Sequence, residues 1–301
     1  MYNELLKIGP ITIYGYGLMT AIGIIAAYLS CEYRAKKKGL DHTKVFGLVV
    51  FCCLFGYIGS KLLYFLTILP EIKADPSIIL RSLADGWVVM GGIIGGVIGA
   101  LIYLRWQKLD VWRFMDTGFA SVAVAQGFGR IGCFLAGCCY GKPTDSHFGV
   151  VFPVEAIAPS GIPLIPTQLI SAAGDFLIFA ILLLLSNFAT DYLKVRKGEE
   201  ELLDKDAVTK KLRFFQPLSM SGMYLILYGI GRFAIEFLRA DPRRTALGLT
   251  SNQYVSIIFV IAGLALIYYG YQRAKKLVSN ADAAEPEATA EEKNEKTGSK
   301  E

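Results

Sequence analysis

Charge is scarce in this chain of 301 residues: 19% are Asp, Glu, Lys or Arg, against about 25% in an average soluble domain. That shortage argues against a soluble enzyme, a nucleic-acid-binding module and a disulfide-stapled secreted domain. Histidine is scarcer still, with two in the chain, so a site built on clustered imidazoles is excluded. No basic stretch precedes the first apolar run and no small-residue cleavage site follows it, so the first span is expected to stay in the mature protein. Period-two alternation, the mark of an outer-membrane barrel, is missing. So is any internal repeat, which weakens a transporter built on inverted halves.

What the chain has is apolar length. Hydrophobic residues make up 53% of it, and its mean hydropathy is +0.44. Seven segments are apolar enough to be read as spans, at roughly 12–31, 45–69, 87–104, 114–136, 168–188, 218–238 and 253–271. A run of about 20 apolar residues crosses the hydrocarbon as a helix, and unpaired backbone groups are not tolerated in lipid. The expected fold class is therefore an all-α polytopic membrane protein with seven transmembrane helices. Lys and Arg crowd the strips at 32–44, 105–113 and 189–217 and the start of the tail at Arg273, Lys275 and Lys276. The opposite connections carry fewer: Lys7, Lys73, Arg81, Lys142, Arg239, Arg243 and Arg244. The positive-inside rule then puts the N-terminus outside and the C-terminus in the cytoplasm. Residues 1–278 form the membrane domain, and the Ala, Glu and Lys of 279–301 read as a disordered cytoplasmic tail. The external loop 137–167, rich in Gly and Pro, is expected to fold over something beneath it.

Polar residues inside the spans are functional candidates because lipid makes them costly. Arg130 lies in the outer half of the fourth span, and Arg232, Glu236 and Arg239 follow one another at helical spacing at the end of the sixth. Lys61, Asp116 and Asp175 are further cases. Three arginines with one glutamate leave excess positive charge at the bilayer edge, where the abundant anion is a phospholipid headgroup and a guanidinium fork binds phosphate well. Gly91 and Gly92 belong to a stripe of small residues that suits close helix packing, close approach to a bound lipid, or both. Cys133, Cys138 and Cys139 have the spacing Cys-x4-Cys-Cys. It lacks a fourth ligand and does not match a usual zinc pattern, which leaves a disulfide or small packing residues.

With these residues in view, the stretch Gly129-Arg130-Ile131-Gly132-Cys133-Phe134-Leu135-Ala136-Gly137-Cys138-Cys139-Tyr140-Gly141 resembles the signature of the prolipoprotein diacylglyceryl transferase family. Tyr16-Gly17-Leu18-Met19, Pro166-Thr167-Gln168-Leu169, and Tyr228-Gly229 followed by Arg232, Glu236 and Arg239 resemble its other motifs, in the same order. The resemblance covers about residues 10–272. It implies a multi-pass enzyme of the bacterial inner membrane, needing no cofactor or metal. Its partners would be phosphatidylglycerol, the signal peptides of prolipoproteins and the surrounding lipid, with no nucleic acid. Arg130, Arg239, Glu236 and Tyr16 would carry catalysis, and Arg130, Arg232, Arg239, Gly91, Gly92 and Gln168 would bind substrate. The departures are specific. Met90 stands where the family has His, Cys133 and Ala136 replace Asn, Cys138 replaces Glu, and Ile170 and Ser171 replace Tyr and Glu. They leave the base open between His147, Glu236 and no dedicated group. They also keep alive a transferase with another acceptor, and a non-enzymatic phospholipid or anion carrier.

Overall fold

The computed structural model describes residues 4–8, 11–82, 86–154, 156–188, 193–196, 199–202, 218–240, 245–246 and 248–298. Arg243, Arg244 and most of the connection 189–217 lie outside them. A hairpin of β1 (Glu4–Ile8) and β2 (Ile11–Tyr14) leads into α1 (Gly15–Lys37). Then come α2 (Val45–Thr67), the short α3 (Leu69–Ala74) and α4 (Ile78–Arg81), α5 (Val89–Trp106) and α6 (Val111–Ala136). After the loop 137–166 follow α7 (Thr167–Phe188), α8 (Ser219–Glu236) and α9 (Ser251–Gly298). The helices begin within a few residues of the apolar segments, with residues 12–14 strand rather than helix, while α1 runs six residues past its expected end and α9 continues far beyond 271.

Among the described residues, six helices are long and apolar enough to cross a membrane: α1, α2, α5, α6, α7 and the first part of α9, Ser251–Arg273. The helix holding the sixth expected span, α8, is not one of them. Ser221, Tyr224, Tyr228, Arg232 and Glu236 recur at three and four residues along it, so one whole face is polar. That face is matched by α6. Asp116 accepts hydrogen bonds from the Leu218 and Ser221 amides (2.7 and 2.8 Å) and from the Ser221 hydroxyl (2.6 Å), and Tyr224 donates to Gln126 (2.6 Å). The contacts run in the same order along both helices, so α6 and α8 lie parallel.

The chain divides into two compact units, 28–114 and the remainder. Within the first, α2 and α5 pack through glycine: a Cβ on Gly91 would strike the Gly59 carbonyl, and one on Gly99 would lie 2.7 Å from the Phe51 oxygen. The packing reading of the Gly91 stripe therefore holds. Lys61 is a structural cation here. Its ammonium donates to the Ser82 and Gly86 carbonyls (2.7 and 3.0 Å) and lies 4.0 Å from the Trp87 ring centre.

Within the second unit, α8 and α9 pack antiparallel, with Gly222 against Gly263 and Gly229 against Ser256. Helix α9 continues to Gly298, into the segment 279–301 expected as a disordered cytoplasmic tail. Ala, Glu and Lys are strong helix formers, so local propensity supports a helix where composition offers no core to bury.

Candidate functional site

One end of the second unit collects the candidate functional residues because five helix ends meet there. These are the N-termini of α1, α7 and α9 and the C-termini of α6 and α8. The loop 137–166 closes over them as a small folded piece. Val150–Val151 pairs with Pro163–Leu164, and Phe152, Ala158 and Leu164 form a buried cluster against Phe134 and Tyr140. The expectation that this loop folds over something agrees with that core.

The sequence spacing placed Arg239 on the same helix face as Arg232 and Glu236. The structure corrects this. Helix α8 stops at Glu236, and two residues later the chain turns extended to pair with the loop: Lys142 N–H donates to the Leu238 carbonyl (2.9 Å), and Arg239 bridges Gly141. Gly141 in turn donates to Ile165 (3.0 Å), and its Cβ position is filled by the Ile165 oxygen at 2.6 Å. Arg239 is thus carried by an extended segment, 7% exposed, while Arg130 and Arg232 are carried by helices. The Arg232 guanidinium lies within electrostatic reach of both Arg130 and Arg239.

Arg232 and Glu236 form the expected ion pair at 2.9 Å. Glu236 also accepts from the Thr250 hydroxyl (2.8 Å) and the Asn252 amide (3.3 Å), so the carboxylate ties the end of α8 to the start of α9. A carboxylate so engaged is a structural anchor more than a free base. Tyr16 is 46% exposed, and its ring lies against Gly132 on α6. Gln168 is buried and donates to the Cys138 carbonyl at 2.7 Å, which fixes the loop to α7. Gly91, Gly92 and Met90 belong to the other compact unit. His147 sits exposed in the turn from Ser146 to Gly149.

Asp175 is the residue that sequence reasoning noticed but did not place in the site. It lies one helical turn beyond Ser171 on α7 and is 5% exposed. With Arg130, Arg232, Tyr228 and Ser171 it lines a cleft of about 50 Å³. Among the described residues, its Oδ2 and the Nη1 of Arg232 are buried polar atoms with no hydrogen-bond partner. Such groups are costly to leave unmatched. The cleft therefore presents a buried acceptor and a buried donor beside a second guanidinium. A signal was available in the sequence: Ser171 and Asp175 are four apart, so an acid is kept on the face that opens this helix.

The three cysteines converge as well. The sulfurs of Cys133, Cys138 and Cys139 all lie within 4.8 Å of one another, and all three are free thiols. Cys139 follows the end of α6, and its thiol is held below the ordinary range by hydrogen bonds with Cys133 and Cys138 and then by the Arg239 guanidinium.

Comparison with known proteins gives one consistent result. The family model described as "Prolipoprotein diacylglyceryl transferase" matches residues 3–269. A phosphatidylglycerol–prolipoprotein diacylglyceryl transferase of Clostridium tetani is 40% identical over 88% of this chain and 96% of its own length. A second transferase of that name from Clostridium perfringens is 37% identical over 90% of this chain and 96% of its own. One from Pseudomonas fluorescens is 30% identical over 92% and 96%.

Proposed function

The chain belongs to the prolipoprotein diacylglyceryl transferase family, and from that premise we propose how its own residues carry the reaction. It transfers a diacylglyceryl group from phosphatidylglycerol to the cysteine thiol of a prolipoprotein, the first step of lipoprotein maturation. The thiol sulfur attacks the glyceryl carbon that bears the phosphate. The carbon–oxygen bond breaks, and glycerol phosphate leaves with the electron pair.

Negative charge moves onto the leaving phosphate, and preorganised cations aimed at it are the largest aid the site can give. Arg130 and Arg239 clamp that phosphate. Arg232, fixed by Glu236, holds the intervening face in shape, and Tyr16 orients a headgroup oxygen. One observation carries the assignment: the unmatched Asp175 Oδ2 and Arg232 Nη1 share a cleft with Arg130. A headgroup with both hydroxyls and a phosphate satisfies an acceptor and a donor together. Gln168 acts on substrate through the loop it holds.

The protein is a multi-pass membrane protein of the bacterial inner membrane, with the polar helix α8 as a seventh crossing and its N-terminus outside. The parallel run of α6 and α8 supports this, since two spans separated by one other must point the same way. Purified protein given phosphatidylglycerol and a lipobox peptide should form the thioether and release glycerol phosphate. Absence of product beside a working relative would sink the transfer reading.

A further inference from the structure

The reaction needs a thiolate, and the residues usually able to make one are poorly placed. A free thiol with pKa about 8.5 is only a few per cent ionised at neutral pH. Glu236 is committed to Arg232, Thr250 and Asn252. Met90 has no basic atom. The three-cysteine cluster lies at this same end of the molecule, and no step above uses it.

It is also a built feature. Cys133 comes from the last turn of α6, and Cys138 and Cys139 come from the turn that follows. Cys139 has φ of 62°, a left-handed conformation that is strained for a non-glycine residue. That turn brings two successive thiols toward the same third sulfur. Its backbone is pinned from α7, where Thr167 donates to the Cys139 carbonyl (2.8 Å) and Gln168 to the Cys138 carbonyl (2.7 Å). Sulfurs within 4.8 Å need only a small rotamer adjustment to reach the separation of about 3.8 Å that tetrahedral zinc requires with zinc–sulfur bonds of about 2.3 Å. Arg239 faces Cys139 and Arg130 faces Cys133, and they offset the charge three thiolates would bring.

We propose that Cys133, Cys138 and Cys139 bind one zinc ion, whose fourth position receives the acceptor cysteine of the prolipoprotein. Among the described residues the cluster has three protein ligands and no fourth, which is the arrangement of a catalytic zinc site with an open position. Coordination strips the proton from the incoming thiol, and bulk water takes it. The bound sulfur then forms the carbon–sulfur bond while the carbon–oxygen bond to phosphate breaks, the phosphate oxygen keeping the electron pair. Zinc is neither oxidised nor reduced. This inference rests on the transfer reading above and supplies its missing thiol activator.

The test uses the full-length protein in detergent, with zinc, and with cobalt(II) as a spectroscopic probe. One ion per chain is expected, with a thiolate charge-transfer band for cobalt and three sulfurs about 2.3 Å from zinc by X-ray absorption. A lipobox peptide should add a fourth sulfur, and its Cys→Ser version should not. Cys133→Ser, Cys138→Ser and Cys139→Ser should each weaken binding at least tenfold. Chelation of the wild type, which avoids any folding defect, should lower transfer at least a hundredfold, with zinc restoring it. Full transfer by the metal-free protein would overturn the proposal and leave the transferase standing. Zinc held by the three thiols, with no transfer from phosphatidylglycerol, would keep the metal site and remove the reaction it was assigned to serve.

Discussion

In the proposed clamp Arg130 and Arg239 approach the phosphate from unlike backbones, one from a helix and one from an extended segment pinned by the loop at Lys142. A rigid pair of planar forks can hold two phosphate oxygens each, whereas a lysine offers only a point charge. Arg130→Ala and Arg239→Ala should each lower transfer by at least a hundredfold with membrane expression unchanged, read as product per mole of purified protein. Lysine at either position should recover only part of that loss. Full activity in Arg130→Ala would remove the phosphate clamp. Asp116 presents the opposite case, a buried charge with all its work inside the fold. Its carboxylate takes three hydrogen bonds from the start of α8. Asp116→Ala leaves two buried amides unmatched, at about 1–3 kcal/mol each. Its thermal unfolding in detergent should fall by several degrees while substrate affinity stays near that of the wild type. A large change in affinity with unchanged stability would contradict the structural role.

At the scale of elements, glycine decides which helices can touch. Gly222 and Gly263 face each other so closely that a Cβ on either would lie 2.6 Å from the other's carbonyl oxygen. Close backbone approach of this kind substitutes for a hydrophobic driving force that lipid cannot supply. Gly222→Leu must push α8 off α9, and with it the Glu236 carboxylate that Thr250 and Asn252 hold. This variant should lose both thermal stability and transfer. Gly118→Ala, whose added Cβ meets open space away from the cleft, should keep both. Similar behaviour of the two variants would show that helix approach at Gly222 is not limiting.

For the whole molecule the open quantity is the direction of the chain through the bilayer. In the proposed arrangement of seven crossings, the basic surplus in the connections at 32–44, 105–113 and 189–217 places the N-terminus outside and the C-terminus in the cytoplasm. A reporter active only in the cytoplasm should work when fused after Asn280 and fail when fused within the external loop after Val154. The reverse pattern would sink both the orientation and the outward-facing site. The parallel seam from Asp116 and Ser221 to Gln126 and Tyr224 gives α8 the same sense as α6. A fusion just before Ser219 should accordingly report the same side as one just before Val111.

The amino-acid sequence by itself determined the spans and the list of misplaced charges, because both follow from local rules. Lipid demands about 20 apolar residues per crossing and makes each buried charge conspicuous. It also determined the family, since Arg130, Gln168, Arg232 and Glu236 sit in short motifs that need no fold to be recognised. Tertiary structure alone decided what each charge does. Lys61 and Asp116 found partners 21–25 and 102–105 residues away, whereas Asp175 kept an unmatched oxygen. Such pairings depend on helices meeting, and no spacing within one helix encodes them. The same holds for the polar face of α8, which finds its match on α6, and for three sulfurs that only a left-handed turn at Cys139 gathers into one place.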